Sequence, residues 1–146
     1  MIQRKQTLFL LLAFVMTVVC MASQVGVLVG QFSSLSVYNL WVVDGDGHRS
    51  FLTWPLFASL MLASLLSLAT IFLYTRRKLQ ARLCLLHMLL LLLWYVLLAV
   101  IPASAGGSLV VQWPAVLPAV AVILSFMAHK GVLADEKLVR SLDRIR

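Results

Sequence analysis

The chain has 146 residues, of which 62% are hydrophobic and 12% charged, with a mean hydropathy of +1.01. A soluble domain of this size leaves much of its surface in water and cannot hide so much apolar side chain, so the composition excludes a soluble globular fold and points to lipid. The net charge of +7 does not signify nucleic acid, because the cations sit between apolar runs, where they report membrane topology.

The first apolar segment runs from Thr7 to about Gly30 without a charge. As a helix it is ~36 Å long, enough to cross a ~30 Å hydrocarbon core with some tilt. A cleaved signal peptide ending near Cys20-Met21-Ala22 competes with this reading. The apolar run continues past Ala22, longer than a typical signal h-region, which favours a span. Lipid modification at Cys20 fails because Val19 is too bulky for the preceding position.

Between Gln31 and Thr53 the sequence turns mixed. The run Val37 to Val43 and the run His48 to Thr53 flank Asp44-Gly45-Asp46-Gly47. Runs rich in β-branched and aromatic residues around an Asp-Gly turn predict a hairpin over about 37–53. The acidic turn resembles a fragment of a calcium loop, but Pro55 stands where the bidentate Glu would be, so it reads as a turn.

The second span covers about 54–74 and the third about 83–101. After Gly106 and Gly107, residues Ser108 to Trp113 offer a third strand beside the hairpin, since a lone hairpin is marginal. The fourth span, about 111–128, has Pro114 and Pro118 near its start. Proline suits a first helical turn, so this helix begins near Trp113 or Pro114. From 129 to 146 the chain is polar. Asp135 can cap a short basic helix over Glu136–Arg146, with Leu138, Val139, Leu142 and Ile145 on one face.

The loops fix the orientation. Arg4, Lys5, Arg76, Arg77, Lys78, Arg82, Lys130, Lys137, Arg140, Arg144 and Arg146 fall on one side of a four-span layout, eleven of the 12 Lys and Arg, and only Arg49 falls on the other. The positive-inside rule makes the crowded side, with both termini, cytoplasmic. The expected fold is therefore all-α and integral to the membrane. It is a single domain, an up-down bundle of four helices with a small extracytoplasmic β-hairpin and a short basic C-terminal helix.

No residue set here makes an enzyme. There is no Gly-rich phosphate loop, no nucleophile elbow and no metal-ligand pair at helical spacing, so no catalytic, metal or cofactor residue is expected. All five acids, Asp44, Asp46, Asp135, Glu136 and Asp143, lie outside the spans, which counts against an ion-coupled transporter. His87 is the lone imidazole within a span and reads as a neutral side chain bonded to a neighbouring helix rather than a haem ligand. Cys20 and Cys84 have no ligand spacing. Ala22, Gly26 and Gly30, and again Ser59, Ala63 and Ser67, repeat every fourth position as small faces for helix packing. Arg76, Arg77, Lys78, Arg82, Lys137, Arg140 and Arg144 are the candidate contacts for a partner or for anionic lipid.

The opening Met1-Ile2-Gln3-Arg4 with Gln6-Thr7, and the ending Asp135-Glu136-Lys137-Leu138-Val139-Arg140-Ser141 with Asp143-Arg144 and Arg146, carry a resemblance. The chain resembles a family of small four-span bacterial inner-membrane proteins known as a domain of unknown function; Lys5 is more polar than the pattern leads one to expect. The resemblance implies four helices, two inner termini and no assigned activity. It directs attention to the cytoplasmic termini and the Arg76–Arg82 loop. Two functions follow as expectations: an accessory or scaffold subunit of a larger envelope complex, or a small oligomeric transporter or channel component. The expected partners are the bilayer and a membrane protein or second copy.

Overall fold

A computed structural model describes residues 2–30, 33–73, 76–105 and 107–143. In chain order it has α1 (Ile2–Ala22), β1 (Gln24–Val29), β2 (Ser34–Tyr38), β3 (Val42–Val43), β4 (Arg49–Ser50), α2 (Trp54–Phe72), α3 (Arg77–Ala105), β5 (Ser108–Val111) and α4 (Leu117–Asp143). Short 3-10 turns at Phe51–Thr53 and Trp113–Val116 lead into α2 and α4. The protein is mostly helical, with one small antiparallel sheet.

Each helix packs on the two beside it, α1 on α2 and α4, and α3 on α2 and α4. Polar bonds set the levels. Gln6 of α1 meets Asp135 of α4, Ser67 of α2 meets the Leu10 carbonyl of α1, and His87 of α3 meets Ser125 of α4. Successive helices are thus antiparallel. The start of α1, the α2–α3 link and the close of α4 share one end of the bundle, the terminal end. The sheet extends the other.

The surface of the bundle is apolar. Leu8, Leu12, Met61, Leu65, Leu89 and Ile123 are all exposed, while Thr17, Ser59, Ser67, Thr70, His87 and Ser125 are buried. In water that arrangement would expose far more apolar area than a soluble monomer tolerates. Lipid has no quarrel with exposed Leu, and helices inside it associate through small and polar residues. Four helices are long and apolar enough to cross a membrane, within Lys5–Ala22, Phe51–Phe72, Lys78–Ala103 and Trp113–Val139. This is a membrane protein.

The first span differs from expectation. Its helix ends at Ala22, and Gln24–Val29 form the strand β1. The cause is tertiary. Asn39 donates its Nδ2 to the Cys20 carbonyl at 2.7 Å, which closes the end of α1. The following Val-Gly-Val-Leu-Val run finds partners on both sides, β2 and β5. Gly26 and Gly30 therefore do not join Ala22 in a helical face. Gly26 instead lies against β5, where an added Cβ would stand 2.9 Å from the Val110 carbonyl oxygen.

The sheet order is β4-β3-β2-β1-β5. The acidic turn does lie in a hairpin, but its strands β3 and β4 have two residues each. Val37 and Tyr38 belong to β2, one strand earlier. Ser108–Val111 forms a strand as expected, yet it pairs with β1 and not with the hairpin. Leu28, Leu35, Val37 and Leu109 turn one face of the sheet into the main core with Leu56, Leu98 and Ala115.

The C-terminal half also differs. Residue 111 lies in β5, and α4 then runs unbroken from Leu117 to Asp143. There is no separate tail helix, and Asp135 is no cap. It is buried within α4 against Gln6, so the apolar stripe and the polar tail form one rod. The third helix is longer than 83–101 at both ends and carries Pro102 inside it.

Candidate functional site

The polar groups of the interior mostly bond to backbone carbonyls or to one another. Trp94 is fully buried and donates Nε1–H to Asn39 Oδ1 at 2.9 Å; the Tyr95 hydroxyl donates to the Ala115 carbonyl at 2.6 Å. Thr17 donates to Ala13 and Ser59 to Leu56, both bonds within a helix. His87 shares a 2.8 Å hydrogen bond with Ser125 through Nδ1, and its Nε2 has no partner. Cys20 and Cys84 are free and buried. Among the described residues no group of His, Cys, Asp and Glu is placed to hold a metal ion.

The terminal end gathers the features that packing does not use up. His129 Nδ1 is 3.0 Å from the Ala81 carbonyl, so these two residues stand level on α4 and α3. Since α3 begins at Arg77, α4 has passed the start of α3 by about Leu133. It continues to Asp143, ~15 Å further. The start of α1 runs beside it, and the Ser67–Leu10 bond sets the last turn of α2, which ends at Phe72, level with Lys5 and Gln6. Gln6 Nε2 donates to Asp135 Oδ2 at 2.7 Å, a buried bond that pins the two chain ends together. Gly131 makes room for it, because a Cβ there would come 2.9 Å from Gln6 Cγ. The last turns of α4 thus form a short stalk that passes the start of α3 and is joined at its base to α1.

The outer surface of the terminal end is basic and apolar. Lys5, Arg76, Lys78, Arg82, Lys130 and Lys137 are all exposed. So are Leu138 and Val139 at the far end of α4. Of the candidate contact residues, Arg76, Lys78, Arg82 and Lys137 are thus brought to one end. Arg144 lies outside the described residues, as do the side chains of Arg77 and Arg140. Of the small-residue positions, Ser59, Ala63 and Ser67 are buried in α2, and Ser67 donates across to Leu10 at 3.0 Å.

The chain matches a domain of unknown function (DUF4293) over residues 2–145. It belongs to that family. No curated protein matches it. In this DUF4293 protein the two segments that carried the resemblance, one at each end of the chain, meet through Gln6 and Asp135. Both residues stand in those segments, but nothing local in the sequence pairs them across 129 positions. The available signal was polarity: Gln6 abuts a long apolar run, and Asp135 is the first acid after one. Asn39 and its contact with Trp94 left no comparable trace, since the two residues are 55 positions apart.

Proposed function

We propose that this DUF4293 protein is a non-enzymatic accessory or scaffold subunit of a larger envelope complex, inserted in the bacterial inner membrane with both termini in the cytoplasm. The stalk carries the proposal. A helix end that passes the start of α3, fixed at its base by a buried bond and tipped with exposed Leu138 and Val139 beside Lys137, is suited to receive another chain. Exposed apolar groups beyond the lipid gain nothing until a partner covers them. The orientation rests on the charge pattern of the sequence, eleven cations before the first span, between the second and third and after the apolar part of the fourth, against Arg49 alone between the first and second. An interior whose polar side chains are mostly taken up in bonds to backbone carbonyls or to one another offers no aligned route for a solute, which disfavours the transporter reading for a single copy.

The test is recovery in mild detergent. The full chain should bring down a larger membrane complex, and deletion of residues 132–146 should release it while leaving the protein in the membrane. Solute flux through liposomes holding the protein alone would overturn the proposal in favour of a transporter or channel component.

A further inference from the structure

We propose that the α3–α4 seam near the terminal end binds the phosphate of an anionic phospholipid between Arg82 and Lys130. The contact of His129 with the Ala81 carbonyl sets the geometry. Arg82 and Lys130 each follow one of these two residues. A single step turns ~100° around a helix. On both helices that step leads away from the buried face, marked by Cys84 and His87 on α3 and by Ser125, Ala128 and Val132 on α4. Two cations thus emerge at one level, on the lipid side of one seam, across helices whose axes are typically 8–10 Å apart.

Both lie toward the terminal end of helices long and apolar enough to cross a membrane, Arg82 near the start of Lys78–Ala103 and Lys130 nine residues before the end of Trp113–Val139, a ~40 Å stretch that overruns a ~30 Å hydrocarbon core. Neither makes an ion pair among the described residues. Lys130 does not reach out toward water. Its ammonium lies 4.6 Å from the centre of the Phe126 ring, one turn back toward the middle of the bilayer. A cation in that position is expensive without an anion. A partner helix would have to carry a carboxylate into the lipid to supply one, at a cost of its own, whereas a phospholipid brings its phosphate to the interface already. Exposed Leu85 and Leu89 on α3 and Ile123 and Phe126 on α4 continue the seam inward as a track for acyl chains. Lys78, one turn outward, widens its mouth. This inference needs only the membrane setting and does not depend on the scaffold role.

The experiment is thermal unfolding of the full-length protein in neutral detergent at about 50 mM salt. Phosphatidylglycerol should raise Tm by about 3 °C, the scale expected for a ligand held above its Kd. An equal amount of phosphatidylcholine, or inorganic phosphate alone, should not. The rise should shrink at about 500 mM salt. Arg82→Gln with Lys130→Gln should lose most of it, and Lys5→Gln should keep it. If the double variant unfolds poorly, retention of a phosphatidylglycerol adduct in native mass spectrometry, compared between Lys130→Arg and Lys130→Gln, decides the matter: retained by the arginine and lost by the glutamine. The proposal is overturned if phosphatidylcholine or free phosphate reproduces the shift. It is equally overturned if the double variant keeps the whole shift, or if both single variants hold the adduct alike.

Discussion

Asn39 donates to the Cys20 carbonyl at 2.7 Å and accepts from Trp94 Nε1 at 2.9 Å, while its own carbonyl takes the backbone N–H of Phe57 at 3.1 Å. One buried side chain therefore closes α1 and orients the largest buried ring, and its backbone meets the start of α2. Alanine at 39 would leave the indole N–H without a partner in a low-dielectric interior, while the Cys20 carbonyl would keep only the Ser23 backbone N–H at 3.1 Å. The expected cost is about 1–3 kcal/mol, the penalty for one orphaned buried donor. Thermal or detergent denaturation of Asn39→Ala should show that loss, and an unchanged midpoint would mean that other groups hold the junction. Gln6 works on the same principle at the far end, but with a single bond to Asp135.

Among the elements, β1 shows how strongly packing overrides local pattern. The run Gln24–Val29 is apolar enough to lengthen α1, yet as a strand it gains hydrogen-bonded partners on both edges. The closeness of β5 depends on the missing side chain of Gly26. A Cβ there would stand 2.9 Å from a backbone oxygen and 3.1 Å from Leu109 Cδ1, and the backbone oxygen cannot move aside as a flexible side chain would. Gly26→Ala should therefore destabilise by about 1–3 kcal/mol, as overpacking does. Gly45→Ala, in the acidic turn with open space around it, should leave the melting temperature where it was. Equal effects from the two substitutions would refute the close approach of β1 and β5. The same override acts on α4. No Gly or Pro interrupts the chain between Val132 and Asp143, so nothing local stops the helix, and the Gln6 contact holds Asp135 inside it.

At the scale of the molecule, the sheet and the chain ends occupy opposite ends of a bundle that is apolar outside. Placed in a membrane, they face opposite compartments. Ser141 and Gly45 are both exposed, one near each extreme, and the native Cys20 and Cys84 are buried. Single cysteines introduced at 45 and 141 should react with a membrane-impermeant maleimide from opposite sides, with 141 protected in intact cells. Labelling of both from the outside would break the cytoplasmic assignment of the termini. The stalk and the Arg82–Lys130 seam would then face the wrong leaflet for the partners that the charge pattern implies.

The four membrane helices were legible in the sequence because their signal is local. Long uncharged runs need nothing but lipid around them, and the charged links between them need nothing but water, so position along the chain is enough. The small sheet was partly legible through its Asp-Gly turn and β-branched runs. What could not be read was any assignment that depended on distant residues: where α1 ends, which strand β5 joins, whether α4 continues through its polar tail. Asn39 and Trp94, Gly26 and Val110, and Gln6 and Asp135 are pairs of far-separated positions, and each decides one of those points. The sequence by itself determined that four segments are long and apolar enough to cross a membrane, because partition into lipid is a property of segments. Only the tertiary structure decided where those helices stop, and that the two ends of the chain are joined, because a buried hydrogen bond has its value only when both partners arrive.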